Sequence, residues 1–244
     1  MEPSPWSWHW APAEIALVAV LALAYVATLR RYPVSRARGA VYGAGVLLVA
    51  AALLSPLSTI SLHYLLSAHL VQNVILAEWA PALLVAGLSP ALARDAGRRG
   101  AVRVLTHPLV ALPLWLTSYA VWHIPAVYDA ALERHALLFA EHLSYLATGA
   151  LLWWPVLQDA PHRLHSAQKA IYLFAAFLLA SPVSLMLTLL PSAVYDFYVG
   201  APRLWGLSAT SDQQIAGVFM TGAEAIVFFA GFAFYFLRFL REEA

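Results

Sequence analysis

The sequence predicts an all-α membrane protein with seven transmembrane helices, and three observations support this fold class: composition, long apolar segments and clustered arginines. Hydrophobic residues make up 62% of the 244 residues and charged residues only 11%, against about 45–50% and about 25% in soluble domains. A soluble protein of this composition would expose large apolar patches and aggregate. The solvent around most of the surface is therefore expected to be the lipid bilayer.

Seven apolar segments approach or reach the roughly 20 residues that a transmembrane helix needs. The longest connection between them, Pro191–Gln214, leaves no room for a soluble domain. Residues 1–244 are therefore expected to form a single transmembrane domain. The predicted spans are Ile15–Leu29, Gly39–Leu57, Tyr64–Leu88, Pro108–Trp122, Ala136–Leu157, Ala170–Leu190 and Ile215–Leu237.

The basic residues predict the orientation of these spans. Of the 14 lysines and arginines, all except Arg134 and Arg203 lie in the connections after the first, third and fifth spans or beyond the seventh. Short connections rich in Lys and Arg remain in the cytoplasm. We therefore expect the N-terminus to lie outside the cell and the C-terminus to lie in the cytoplasm.

The residue types present exclude several classes of function. The chain has no cysteine, so disulfides, thiol catalysis and thiolate metal sites are excluded. The sequence contains no nucleophile–base pair, phosphate-binding loop or nicotinamide fingerprint, so we do not expect an enzyme. No basic patch indicates a nucleic-acid partner. Any metal would be bound by imidazole, thioether, amide or carboxylate groups.

Polar side chains inside the predicted spans are costly and often mark function. Counting ~1.5 Å per helical residue, His69, His123 and His142 fall in one layer near the outer ends of three spans, and Met220 is the deeper member of that layer. Imidazole with thioether suits copper(I). The alternative is that these groups only form hydrogen bonds between helices. His9, His162 and His165 are given no role.

Other polar groups follow from helical spacing. Residues three and four apart share a helix face, so Gln72 and Asn73 accompany His69, and Gln213 accompanies Met220. Glu78 lies nine residues after His69 and is expected on the opposite face, outside the histidine layer unless Pro81 distorts the span. Glu224 and Glu78 are interpreted as structural groups or as proton carriers. Most aromatic residues of the outer connections are expected to anchor the protein at the membrane interface.

Four segments then carry a resemblance to a known family: Ser55–Leu76, Trp122–Leu132, Glu141–Leu157 and Gly206–Met220. In these segments the chain resembles the CtaG family of bacterial cytochrome c oxidase assembly factors, first tied to caa-type oxidases. The resemblance adds Asp212 to the polar set and implies seven spans in a bacterial cell membrane. One departure concerns Asn73, which stands where family members usually have a second histidine, four residues after the first.

The resemblance implies a role in assembling haem–copper oxidase by helping to deliver copper to its catalytic subunit. The expected partners are that subunit and a periplasmic copper carrier. The metal ligands would be His69, His123, His142 and Met220, supported by the polar side chains Gln72, Asn73, Asp212 and Gln213. Two alternatives remain: haem held between two histidines such as His69 and His142, and a proton-coupled transporter, although no internal repeat is visible.

Overall fold

A computed structural model describes residues 3–243. Within this range the secondary structure is entirely helical, with one π-helical turn and no strand. The α-helices are α1 Pro12–Leu29, α2 Arg36–Leu54, α3 Pro56–His63, α4 Leu66–Val74, α5 Ala80–Gly87, α6 Pro90–Ala96, α7 Gly100–Leu105, α8 Pro108–Trp122, α9 Pro125–Glu133, α10 His135–Leu157, α11 Ser166–Leu189, α12 Asp196–Gly200 and α13 Ala209–Glu242.

Six helices of the described chain are long and apolar enough to cross a membrane, and each coincides with a predicted span. The fourth predicted span is the exception. Helix α8 has only 15 residues and qualifies together with α9, to which it is joined at an angle of 75°. The bend occurs because Ile124 precedes Pro125 and is therefore held in an extended conformation (φ −68°, ψ 122°). Residues 3–243 thus contain six candidate membrane spans, or seven if the bent pair counts as one.

The third span, Leu66–Gly87, contains a π-helical turn at Ile75–Trp79 between α4 and α5. Pro81 lies just after this turn and has no N–H to donate to the Ala77 carbonyl. The indole Nε1 of Trp115 in α8 donates to that oxygen instead, at 3.2 Å. The irregular backbone is therefore satisfied from a neighbouring helix, as the interior of a membrane requires.

Helix α10 packs closest to the third span at the same carbonyl. A Cβ atom placed on Gly149 would lie 2.2 Å from the Ala77 oxygen and 2.8 Å from Cγ of Pro81. Only glycine permits this approach, as is common where membrane helices touch. Gly217 plays the same part between α13 and α11, where a Cβ atom would lie 2.4 Å from Oγ1 of Thr188.

The bundle has two ends that differ in charge. At the arginine-rich end, Arg38 donates to the carbonyls of Ala86 and Leu88 at 2.9 and 2.8 Å, and His162 contacts the carbonyl of Arg103 at 2.7 Å. The arginine-poor end is formed by the N-terminal tail, α3, α9 and α12. There His9 donates its backbone N–H to the Leu54 carbonyl at 3.0 Å, and the Asp129 carboxylate accepts the first N–H groups of α12.

Gly149→Ala is expected to destabilise the protein by about 1–3 kcal/mol, since the added methyl group forces α10 away from the third span. The control is Gly43→Ala in α2, where nothing lies within 4 Å of the new Cβ atom. Thermal unfolding in detergent should show a lower midpoint for Gly149→Ala only. Equal midpoints for the two variants would contradict the close packing at Ala77.

Candidate functional site

The three histidines predicted to share a layer come together in the buried interior near the arginine-poor end. His69 belongs to α4, His142 to α10, and His123 follows the last residue of α8; none is more than 4% exposed. The ring centres of His69 and His142 are 6.3 Å apart. The Tyr128 ring lies 5.0 Å from His69 and 6.2 Å from His123. We call the three histidines, together with Glu141, the histidine cluster.

Glu141 is the charged centre of the cluster. Its side chain is 1% exposed, and its Oε1 accepts a hydrogen bond from Nδ2 of Asn73 at 3.0 Å. The same oxygen lies 3.5 Å from Nε2 of His69, and the carboxylate interacts electrostatically with His142 and His123 as well. Asn73 therefore contacts the cluster through its amide hydrogens, which a metal ion would not use.

The partners of two imidazoles fix which ring nitrogen faces the cluster. The Tyr198 hydroxyl donates its single proton to the Ser61 carbonyl at 2.6 Å, so it accepts from Nδ1 of His69 at 2.9 Å. Nδ1 of His123 likewise donates to the Tyr119 carbonyl at 2.7 Å. In the neutral tautomer, both rings then leave Nε2 with a free lone pair. Metal-binding histidines are typically oriented in this way.

The nitrogens that face the cluster have no hydrogen-bond partner in the protein. These atoms are Nε2 of His69, Nε2 of His123 and both ring nitrogens of His142. Buried polar atoms are normally paired, so unpaired imidazole nitrogens from three segments at one place mark the cluster as the candidate site. In the histidine cluster, no three ligand atoms (imidazole nitrogens or carboxylate oxygens) lie as close together as they would in a preformed metal site.

Met220 is buried beside the cluster and faces a cavity of about 10 Å³, which is near the smallest volume that holds a water molecule. The cavity is lined by Asn73, Val74, Ala77, Glu78, Tyr119, His123, Tyr145 and Met220. Glu78 thus lines the same cavity as His123 and Met220, and the exception allowed for a span distorted near Pro81 applies. The π-helical turn contains an extra residue, so Glu78 is rotated from the position that regular α-helical geometry predicts.

Glu78, which lines this cavity, and Glu224 are the two carboxyl groups of the inner spans. Glu224 accepts a hydrogen bond from the Tyr119 hydroxyl at 2.6 Å, while both oxygens of Glu78 have no partner in the protein. The two carboxyl groups interact electrostatically with each other. They extend the polar interior from the histidine cluster toward the middle of the bundle.

The remaining predicted site residues position the backbone around the cluster. Gln72 donates to the Ala52 carbonyl at 2.9 Å and accepts from the Ser61 hydroxyl at 2.8 Å. Gln213 accepts the backbone N–H of Val194 at 2.8 Å. Asp212 accepts the N–H groups of Leu66 and Ser67 at 2.7 and 3.1 Å, and so caps α4 from a different helix. Their contacts hold the segments that carry the histidines and Tyr198.

Sequence reasoning missed the tyrosines of the site. Most aromatic residues of the outer connections are expected to anchor the protein at the interface, and Tyr128, Tyr195 and Tyr198 are exceptions, each at most 2% exposed. Both connections contain a Tyr-Asp pair, at Tyr128-Asp129 and Tyr195-Asp196, and this repetition was the available signal. For Glu141, nothing in the residue spacing predicts the contact with Asn73.

A second group of potential ligands lies at the rim of the arginine-poor end. The ligand atoms of His9, Glu14 and His135 all lie within 4.8 Å of one another. Among His, Cys, Asp and Glu of residues 3–243, this is the group of three with such close spacing. His9 was given no role from the sequence, because its position in a short tail before α1 carries no periodic signal.

Asp212→Ala should lower the free energy of unfolding by about 0.5–2 kcal/mol, the usual cost of losing a helix cap, because two N–H groups of α4 lose their acceptor. Asp212→Asn keeps one acceptor oxygen and should be less harmful. The control is Asp196→Ala, which removes an exposed carboxylate at the same end. Chemical denaturation in detergent measures all three, and a stability loss no larger than that of Asp196→Ala would refute the capping role.

The sequence profile described as cytochrome c oxidase caa3 assembly factor (Caa3_CtaG) matches residues 9–242, nearly the whole chain. No curated protein and no solved structure matches the chain. The matched range includes His9, every residue of the histidine cluster, and all the predicted spans. On this evidence the chain belongs to the caa3 cytochrome c oxidase assembly factor family.

Proposed function

We propose that the protein binds copper(I) in the histidine cluster and passes it to the catalytic subunit of a haem–copper oxidase during assembly. Family membership supports the assembly role. The single observation that supports copper is the set of buried imidazole nitrogens that have no partner in the protein. A transfer role requires ligand exchange only, and no bond in a substrate is made or broken.

His69 and His142 are the best-placed pair of ligands. Two nitrogens bound to one metal ion at about 2 Å each are separated by about 4 Å. Ring centres 6.3 Å apart suit that separation, because each nitrogen lies at the edge of its ring. His123 and Met220 are the adjacent ligands, and an imidazole and thioether set is the kind that binds copper(I).

The cavity volume favours an ion over haem. Pockets for cofactors have volumes of roughly 300–1,000 Å³, whereas the cavity beside the cluster has about 10 Å³. The Tyr128 ring also packs against both His69 and His123, so side chains fill the interior beside these two rings. We therefore propose copper and not haem as the bound species.

We further propose that the arginine-poor end faces away from the cytoplasm, with the N-terminus outside and the C-terminus inside. The arginine distribution supports this orientation. The histidine cluster then lies in the outer half of a bacterial cell membrane. Copper would arrive there from a periplasmic carrier and leave to the oxidase subunit in the same membrane.

The orientation predicts opposite labelling of two introduced thiols. Because the chain has no cysteine, Glu133→Cys and Ala101→Cys each create the only thiol, and both positions are exposed. In intact spheroplasts, a membrane-impermeant maleimide should label Glu133→Cys and should label Ala101→Cys only after lysis. The reverse pattern would overturn the orientation and the access of outside copper to the cluster.

For copper, we expect His69→Ala and His142→Ala each to weaken copper(I) binding at least tenfold, about 1.4 kcal/mol, since each removes one ligand of the pair. The measurement is competition against a copper(I) chelator with detergent-purified protein. His162→Ala, at the arginine-rich end, is the matched control and should bind like wild type. Unchanged affinity in both test variants would assign the two histidines to packing.

The same variants test the biological role. In a strain lacking the gene, the terminal oxidase should retain haem but lose copper and activity in copper-poor medium. Wild type and His162→Ala should restore both, and His142→Ala should not. A deletion strain with a fully active, copper-replete oxidase would exclude the assembly function in that organism.

A further inference from the structure

Three side chains from separate parts of the chain meet at the rim of the arginine-poor end. His9 lies in the tail before α1, Glu14 in the first turn of α1, and His135 at the start of α10. Their ligand atoms lie within 4.8 Å of one another, and Nε2 of His135 is 3.2 Å from Oε1 of Glu14. A backbone hydrogen bond from His9 to the Leu54 carbonyl at 3.0 Å fixes the tail in this position.

Burial makes Glu14 the anchor of this group. Its side chain is only 2% exposed, and its Oε2 has no hydrogen-bond partner in the protein. A buried carboxylate oxygen without a partner is costly, and a bound cation would compensate the cost. His135 is 55% exposed, so the group is closed on the protein side and open on the solvent side, which gives an ion access.

His9 is suited to act as a neutral ligand. It lies outside the membrane spans, and burial lowers the pKa of its imidazole below the usual value, while Glu14 opposes this effect. His135 and His63 are close enough to lower the pKa of His9 further. A neutral imidazole retains the lone pair that a metal ion needs.

We propose that His9, Glu14 and His135 form a surface site for a divalent transition-metal ion, Zn²⁺ or Cu²⁺. Two imidazoles and one carboxylate are a known three-ligand set for zinc, with a fourth position left for solvent. The carboxylate distinguishes this rim site from the histidine cluster, because oxygen ligands favour harder ions than copper(I). His142 interacts electrostatically with both His9 and His135, so the rim site lies next to the cluster.

The test is a titration of the full-length protein in nanodiscs with Zn²⁺ alone and with Cu²⁺ alone, against a competing chelator. Purification should use a streptavidin-affinity tag, because a polyhistidine tag binds the same ions. We expect one equivalent of high-affinity Zn²⁺, and at least tenfold weaker binding in Glu14→Gln and His135→Ala. For Cu²⁺, the electron paramagnetic resonance signal should show nitrogen ligands in wild type and lose one of them in His135→Ala.

Two controls locate the binding. His162→Ala, at the arginine-rich end, and the double variant His69→Ala/His142→Ala should retain the Zn²⁺ equivalent. Since His135 is exposed, its replacement keeps the test valid even if Glu14→Gln fails to fold. Wild-type Zn²⁺ affinity in His135→Ala, or loss of Zn²⁺ in the histidine-cluster double variant alone, would overturn the proposal. Neither result depends on copper(I) binding or oxidase assembly, so this site and the proposed function fail separately.

Discussion

The arrangement of the site depends on one constraint: a carboxylate buried inside a membrane protein must find its partners within the protein. Glu141 in α10 accepts a hydrogen bond from the Asn73 amide on α4 and lies beside the His69 ring of the same helix. An unpaired charge at this depth would cost several kcal/mol, so these contacts fix how the two helices face each other. The carboxylate thereby sets which histidines become neighbours, and His142, the next residue in the chain, is carried into the cluster.

This constraint also explains what Asn73 does in the place of a histidine. The amide donates N–H to Glu141, whereas a neutral imidazole there would be a further ligand on the same helix as His69. With asparagine, α4 contributes one imidazole to the cluster, and the others come from α10 and from the residue after α8. The cluster therefore lies between helices, and the spacing of its imidazoles follows from helix packing at Gly149 and Ala77 and not from residue spacing within one helix.

The sequence predicts features that follow from the regular period of a helix. It does not predict local departures from that period or contacts between helices. The spans and the shared depth of His69, His123 and His142 follow from hydropathy and the rise of a helix, and the structure brings the three rings together. Regular α-helical geometry predicts the wrong helix face for Glu78, because the π-helical turn near Pro81 changes the rotation per residue. The contact between Glu141 and Asn73 depends on helix adjacency, which no single-helix pattern encodes.

The two proposed ligand groups at the arginine-poor end differ in chemistry, so they would select different ions. His9, Glu14 and His135 offer a carboxylate and open access to solvent, which favours a hydrated divalent ion. The cluster offers imidazoles with no partner and a nearby thioether, which favours the softer copper(I). With no cysteine in the chain, neither group uses thiolate, the ligand that holds copper(I) most firmly. Weaker ligands permit release, and the proposed transfer of a metal ion to an oxidase requires release.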